Sequence, residues 1–140
     1  MSIWEQADLG DDGYCFACGK NNPHGLGMQV EYGDADQSAS CRLSLARRFQ
    51  GWSGIAHGGV VSTLMDEIMA HAVIRHVGQG LTTDMQTRYK APVPLDQEIT
   101  VRGWVAQANR RLATTQAEVR LADDGKLLAE AEARFILRTK

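Results

Sequence analysis

Hydrophobic and polar positions alternate along most of this chain, and one stretch breaks that rhythm. Val60, Val61, Leu64, Met65, Ile68, Met69, Ala72 and Val73 recur at helical spacing. Stepped at about 100° per residue from Val60, they fill a stripe about 220° wide, which is broader than a surface helix needs. A mostly buried helix is expected, opened by Gly58 and Gly59 and ended by Val77, Gly78 and Gly80. On the same wheel Asp66 falls at about 240°, at one edge of the stripe, and Glu67 at about 340°, at the other. A carboxylate there is costly to bury unless something charged, hydrogen-bonding or wet meets it.

The rest of the pattern predicts strands. Leu26 to Tyr32 and Ser38 to Leu45 are joined by Gly33-Asp34-Ala35-Asp36, a turn signal. In the second run Ala39, Cys41, Leu43 and Leu45 alternate with Ser38, Ser40, Arg42 and Ser44, so one face is apolar. Leu81 to Lys90 is an extended run before Pro92 and Pro94. Alternation returns at Ile99, Val101, Gly103 and Val105, and again from Ala113 to Leu121. Asp123-Asp124-Gly125 is a hairpin signal. After it Ala129, Ala131, Ala133, Phe135 and Leu137 oppose Glu130, Glu132 and Arg134, and this strict alternation favours strand over helix. The expected fold is α+β: two strands, one long buried helix and a meander of four antiparallel strands. One helix for about six strands leaves sheet surface for a second copy of the chain to pair with or cover.

At 140 residues the chain reads as a single domain, 1–140, in which residues 1–13 form an acidic extension with one helical turn. A net charge of -2 gives no electrostatic reason to expect nucleic acid or an anionic membrane as partner. No apolar run approaches ~18 residues, and the first residues lack the basic-then-apolar pattern of a leader, so a cytoplasmic protein is expected. Three cysteines make no disulfide framework and fit a reducing compartment.

Cys15 and Cys18 form a Cys-x-x-Cys with His24 six residues on and Cys41 far away on a strand. A structural zinc site needs four ligands. The pair is therefore read as small apolar residues packed beneath a turn built from Gly19, Asn21, Asn22, Pro23 and Gly25, with no metal and no cofactor expected. His71 is read as a packed or exposed helix histidine, and His76 as a partner of the helix dipole.

The spacing His57-Gly58-Gly59 to Asp66 resembles the signature of the hotdog-fold thioesterases, in particular their PaaI-like group. Residues 49–67, FQGWSGIAHGGVVSTLMDE, are similar to that group's loop and the start of its helix. Residues 82–95, TTDMQTRYKAPVPL, resemble its following strand, and residues 15–28, CFACGKNNPHGLGM, an N-terminal element of one branch. The resemblance implies a hotdog fold, a long helix wrapped by a curved antiparallel sheet. It also implies a homodimer, or a dimer of dimers, with sites at the interface, and hydrolysis of acyl-CoA.

Carried over residue by residue, Asp66 is the general base or the nucleophile, and the Gly58 N–H is the oxyanion donor. Thr82 holds the attacking water or orients the acid, and His57 lies near the thioester sulfur. The physics agrees, because a helix N-terminus offers an N–H where negative charge develops. Glycines at 58 and 59 let substrate approach the backbone. Some members carry an asparagine six residues before the histidine; here Gly51 stands there, with Gln50 beside it as the candidate substitute. Arg110, Arg111 and Lys90, with Arg47 and Arg48, are candidates for the CoA phosphates.

Three alternatives remain open. Glu67 could be the acid, as a related hotdog group uses a helix glutamate. The chain could be a hydratase or dehydratase of hydroxyacyl thioesters, although the His-x-x-Gly-x-Pro context of those enzymes is missing around His57. It could also bind acyl-CoA without turnover, although the acid needed for turnover is present.

Overall fold

The computed structural model describes residues 6–138. Among these residues the fold is built of six strands, one long helix, α1 (Gly58–His76), and a short 3-10 turn (Arg47–Phe49). The strands are β1 (Glu31–Gly33), β2 (Ser38–Ser44), β3 (Gly80–Tyr89), β4 (Glu98–Ala108), β5 (Leu112–Leu121) and β6 (Leu127–Leu137). All pair antiparallel in one sheet of order β1-β2-β4-β5-β6-β3. The sheet wraps α1, which is the hotdog architecture.

The helix buries the face its sequence marks out. Val61, Leu64, Met65, Ile68, Met69, Ala72 and Val73 are all buried, and burial of each large one stabilises the fold by about 1.5–3 kcal/mol. Against them lie the inward positions of the strands: Val101 and Val105 on β4, Ala117 and Val119 on β5, Ala131 and Phe135 on β6. Gly103 marks the closest approach. A Cβ there would stand 2.9 Å from Ile68 Cγ2 and 3.1 Å from the Met69 nitrogen, so only glycine lets the helix backbone settle onto β4. Thr115, the buried hydroxyl of this core, donates to the Ala133 carbonyl at 2.9 Å, which removes the cost of its burial.

Two expectations need correction. The strands after the helix are not a simple meander. β4, β5 and β6 follow one another, but β3 pairs with β6 at the far edge. Residues 91–97 carry the chain across, and their prolines suit a segment that leaves the sheet. This crossing strap also fixes the approach to α1, since the Ala56 N–H donates to the Val93 carbonyl at 2.8 Å and Ile55 bridges Pro94. The first expected strand shrinks to Glu31–Gly33. Leu26 and Met28 give their N–H groups to the Phe16 and Ala17 carbonyls instead, at 2.9 and 3.0 Å, which binds this segment to the cysteine loop rather than to the sheet. The helical turn expected near the N-terminus lies mostly outside the described residues.

Candidate active site

The site is built on one flank of α1 and the strand beside it. His57 is the residue just before the helix, in extended conformation, and its ring Nδ1 accepts the Gly59 N–H at 2.9 Å. This ring nitrogen is therefore an acceptor, and a neutral His57 carries its proton on Nε2. The Val60 and Val61 N–H groups both turn to the His57 carbonyl, at 2.9 and 3.1 Å. Of the first N–H groups of α1, only that of Gly58 is left without a partner among the described residues.

This sorts the two glycines. The Gly58 N–H stands at the positive end of the helix dipole with no hydrogen-bond partner among the described residues. The Gly59 N–H is closed by His57, and a Cβ on Gly59 would press to 3.2 Å from His57 Nδ1. The glycine at 59 thus serves the cap geometry.

Asp66 lies two turns further along α1, half-buried, with Thr82 Oγ1 donating to its Oδ1 at 2.7 Å. The strand geometry explains that aim. The β3–β6 register shifts between Thr82 and Asp84, a bulge that turns Thr82 toward the helix. Burial pushes the Asp66 carboxyl above its usual range, the Thr82 bond works against that rise, and the nearby Glu67 charge adds to it. A carboxylate held by one hydroxyl and short of full solvation is a stronger base than one in water.

Tyr89, at the other end of β3, was not singled out by sequence reasoning. Its hydroxyl donates to the Gly58 carbonyl at 2.9 Å and lies 2.6 Å from Ser62 Oγ, so it clamps the first turn of α1. The one signal was its place in Tyr-x-x-Pro, just before the crossing strap.

The remaining candidates scatter. Gln50 Oε1 accepts the Gly54 N–H at 2.9 Å and shapes the loop before the helix, within which Gln50 also bridges Ala56. Lys90 faces Glu130 at 3.7 Å. Arg110 and Arg111 sit exposed in the β4–β5 turn, where Asn109 Oδ1 accepts the Arg111 and Leu112 N–H groups. Arg48 reaches the Gly25 carbonyl at 3.2 Å. No common basic cradle is formed by these side chains among the described residues.

Glu67 occupies the opposite flank. Its Oε2 lies 3.1 Å from His71 Nε2, and Cys15 Sγ stands 3.7 and 3.8 Å from its two oxygens. Burial acts to raise this carboxyl, but the His71 bond, the Cys18 bond, the His71 charge and the Cys15 bond outweigh it and hold it below its usual range. Tyr32 Oη bonds the other ring nitrogen of His71 at 2.9 Å. His76 is tied to the Ser38 carbonyl at 3.0 Å. Cys41 faces the core from β2, its thiol pushed up to about 11 by burial.

Known proteins share this framework. The Xenopus laevis acyl-coenzyme A thioesterase THEM4 is 28% identical over 114 residues, covering 80% of this chain and 51% of that protein. The chain thus spans about half the length of that relative. The crystal structure of RHA08564, a thioesterase superfamily protein, superposes with a TM-score of 0.82 at 28% identity, covering 88% of this chain and 60% of that one. A hypothetical thioesterase from Streptococcus pneumoniae TIGR4, solved with coenzyme A, gives 0.72 at 21% identity, covering 79% of this chain and 88% of that one, a likeness of fold. The family model described as "Thioesterase superfamily" matches residues 53–128, from the loop before α1 into β6, and the chain belongs to that superfamily.

Proposed function

We propose that this chain hydrolyses an acyl-CoA thioester to the free acid and CoA, with Asp66 as general base or nucleophile and the Gly58 N–H as oxyanion donor. The single observation that carries the assignment is the Thr82–Asp66 pair. It is a half-buried carboxylate, raised in basicity and aimed by a hydroxyl 2.7 Å away, on the same helix whose first N–H is open. The name of the Xenopus relative and the coenzyme A held by the Streptococcus pneumoniae neighbour support the substrate class.

The geometry also argues for a second copy of the chain. Asp66 lies eight positions beyond Gly58 on the helix, about 12 Å along the axis. A nucleophile and an oxyanion donor each in ~3 Å contact with one carbonyl stand roughly 6 Å apart, and a bridging water raises that to about 9 Å, still short of the helical separation. In this reading, one thioester therefore takes its acid from one protomer and its oxyanion donor from the other. On its outer side the ten-residue β3 has no strand partner among the described residues, and natural proteins cover or pair such an edge.

The experiment is a panel of acyl-CoAs with a thiol-reactive dye, run beside light scattering. Turnover by a species of at least twice the monomer mass is expected. A monomer at micromolar concentration with full activity would sink the shared site, and no turnover on any acyl chain length would sink the hydrolase.

A further inference from the structure

The Cys15-x-x-Cys18 pair plays no part in the proposed hydrolysis, and the fold gives it company that the sequence hides. Cys15 Sγ, Cys18 Sγ and a Glu67 carboxylate oxygen all lie within 4.8 Å of one another, each half-buried. We propose that these three groups bind a thiophilic divalent metal, zinc by their chemistry, which ties the N-terminal loop to the middle of α1. His24 and Cys41, the partners that sequence spacing offers, stand outside this cluster. The helix supplies the third ligand instead.

The distances fit an ion. Tetrahedral zinc with sulfur at ~2.3 Å and oxygen at ~2.0 Å holds sulfur and oxygen ligands about 3.5 Å apart. Cys15 Sγ is already 3.7 and 3.8 Å from the two Glu67 oxygens, longer than a strong hydrogen bond and close to that spacing. Two soft sulfurs with one carboxylate select zinc over magnesium or calcium, which prefer oxygen alone.

The surroundings are built as for a metal. The Ala17 N–H points at Cys15 Sγ at 3.3 Å, a donor that spreads the charge of a thiolate. Gly19 follows the second cysteine where the chain doubles back: a Cβ there would meet the Cys15 nitrogen at 2.3 Å and the Gly13 carbonyl at 2.6 Å. Only glycine permits this tight loop, which holds the two sulfurs together. His71, one turn beyond Glu67, brings its Nε2 to 3.1 Å from Glu67 Oε2, and the Tyr32 hydroxyl lies 2.9 Å from its Nδ1. A ligating carboxylate oriented by a hydrogen-bonded neighbour is the usual outer support of a metal site. A surface cavity lined by Cys18, Gly19, Tyr32 and His71 gives the ion a way in and leaves the fourth position to water.

This site is independent of the hydrolase assignment, and its test reads metal rather than activity. The full chain, kept reduced, is loaded with zinc, dialysed against a weak chelator and analysed for metal. A parallel sample is loaded with cobalt(II) for absorption spectroscopy. Zinc equimolar with protein is expected, together with a sulfur-to-cobalt charge-transfer band and a melting temperature that rises with free zinc. Cys18→Ala and Glu67→Ala should lose the metal, and His71→Ala should weaken it by ~10–100-fold.

A zinc-free chain after loading would overturn the site. So would metal retained by Cys18→Ala, a cobalt spectrum without the sulfur band, or a Cys15–Cys18 disulfide that persists in mild reductant. Should either alanine variant fail to fold, alkylation of the parent chain decides: zinc must shield both cysteines, and equal labelling with and without zinc refutes the proposal.

Discussion

Asp66 and Glu67 are neighbours in the chain, yet α1 turns them about 100° apart into unlike surroundings. Asp66 faces β3, where a single hydroxyl from Thr82 meets it and burial drives its carboxyl upward. Glu67 faces the cysteine loop, where His71 and two thiols converge and its carboxyl is held down. Both are partly buried acids on the same helix, so burial alone does not separate them. What differs is the balance between lost solvation and donors gained. Asp66 is left with one hydroxyl against its lost solvation and rises, whereas Glu67 has enough donors to be held down.

The largest break in that comparison is expected from Asp66→Asn. The amide keeps the shape and the Thr82 bond but removes the charge, and kcat/KM on the best acyl-CoA should fall by ~10²–10⁴. Stability should move the other way. An aspartate whose folded pKa is raised contributes most below its unfolded pKa, and that contribution fades as pH rises through the folded one. At neutral pH the parent chain bears the cost of a partly desolvated charge, so the Asn variant should melt at the same temperature or higher. A large loss of both activity and stability would instead mean that Asp66 is structural.

Thr82→Ala is expected to cost about tenfold in kcat/KM, the worth of one positioning hydrogen bond. The pH profile sharpens it. Activity through ionised Asp66 should climb with pH above the ordinary aspartate range. Since the Thr82 bond lowers the Asp66 pKa, its removal should carry that limb to higher pH. An unmoved limb would show that Thr82 does not act through Asp66.

Glu67→Gln should have the smallest effect on turnover, with kcat/KM within about threefold of the parent. Its effect belongs to stability: weakening the contacts to His71 and Cys15 should lower the melting temperature by the worth of about 1 kcal/mol. If this variant abolishes turnover while Asp66→Asn keeps it, the assignment of the two acids is reversed.

Much of this was legible in local pattern. The period of Val60 to Val73 marked a buried helix, and the alternation from Ala129 to Leu137 marked a strand against alanine's helical preference, because burial repeats with the geometry of the backbone. The His57-Gly58-Gly59 to Asp66 spacing marked the start of α1 and a carboxylate two turns along it, which is where the structure has His57 capping the helix and Thr82 meeting Asp66. The i, i+4 pairing of Glu67 with His71 could also have been read from spacing alone.

Other features depended on which distant segments meet. Strand alternation says which face is apolar but not which edge a strand joins, so β3 crossing to β6 could not be read from its own residues. Gly59 looked open to substrate until His57 closed its N–H, a contact set by the angle at which the loop enters the helix. Cys15 and Cys18 pack against the core as their motif suggested, but the motif could not show the carboxylate that lies beside them. Glu67 is 52 residues from Cys15 along the chain, and only the fold of the N-terminal loop against α1 brings the two within 4 Å.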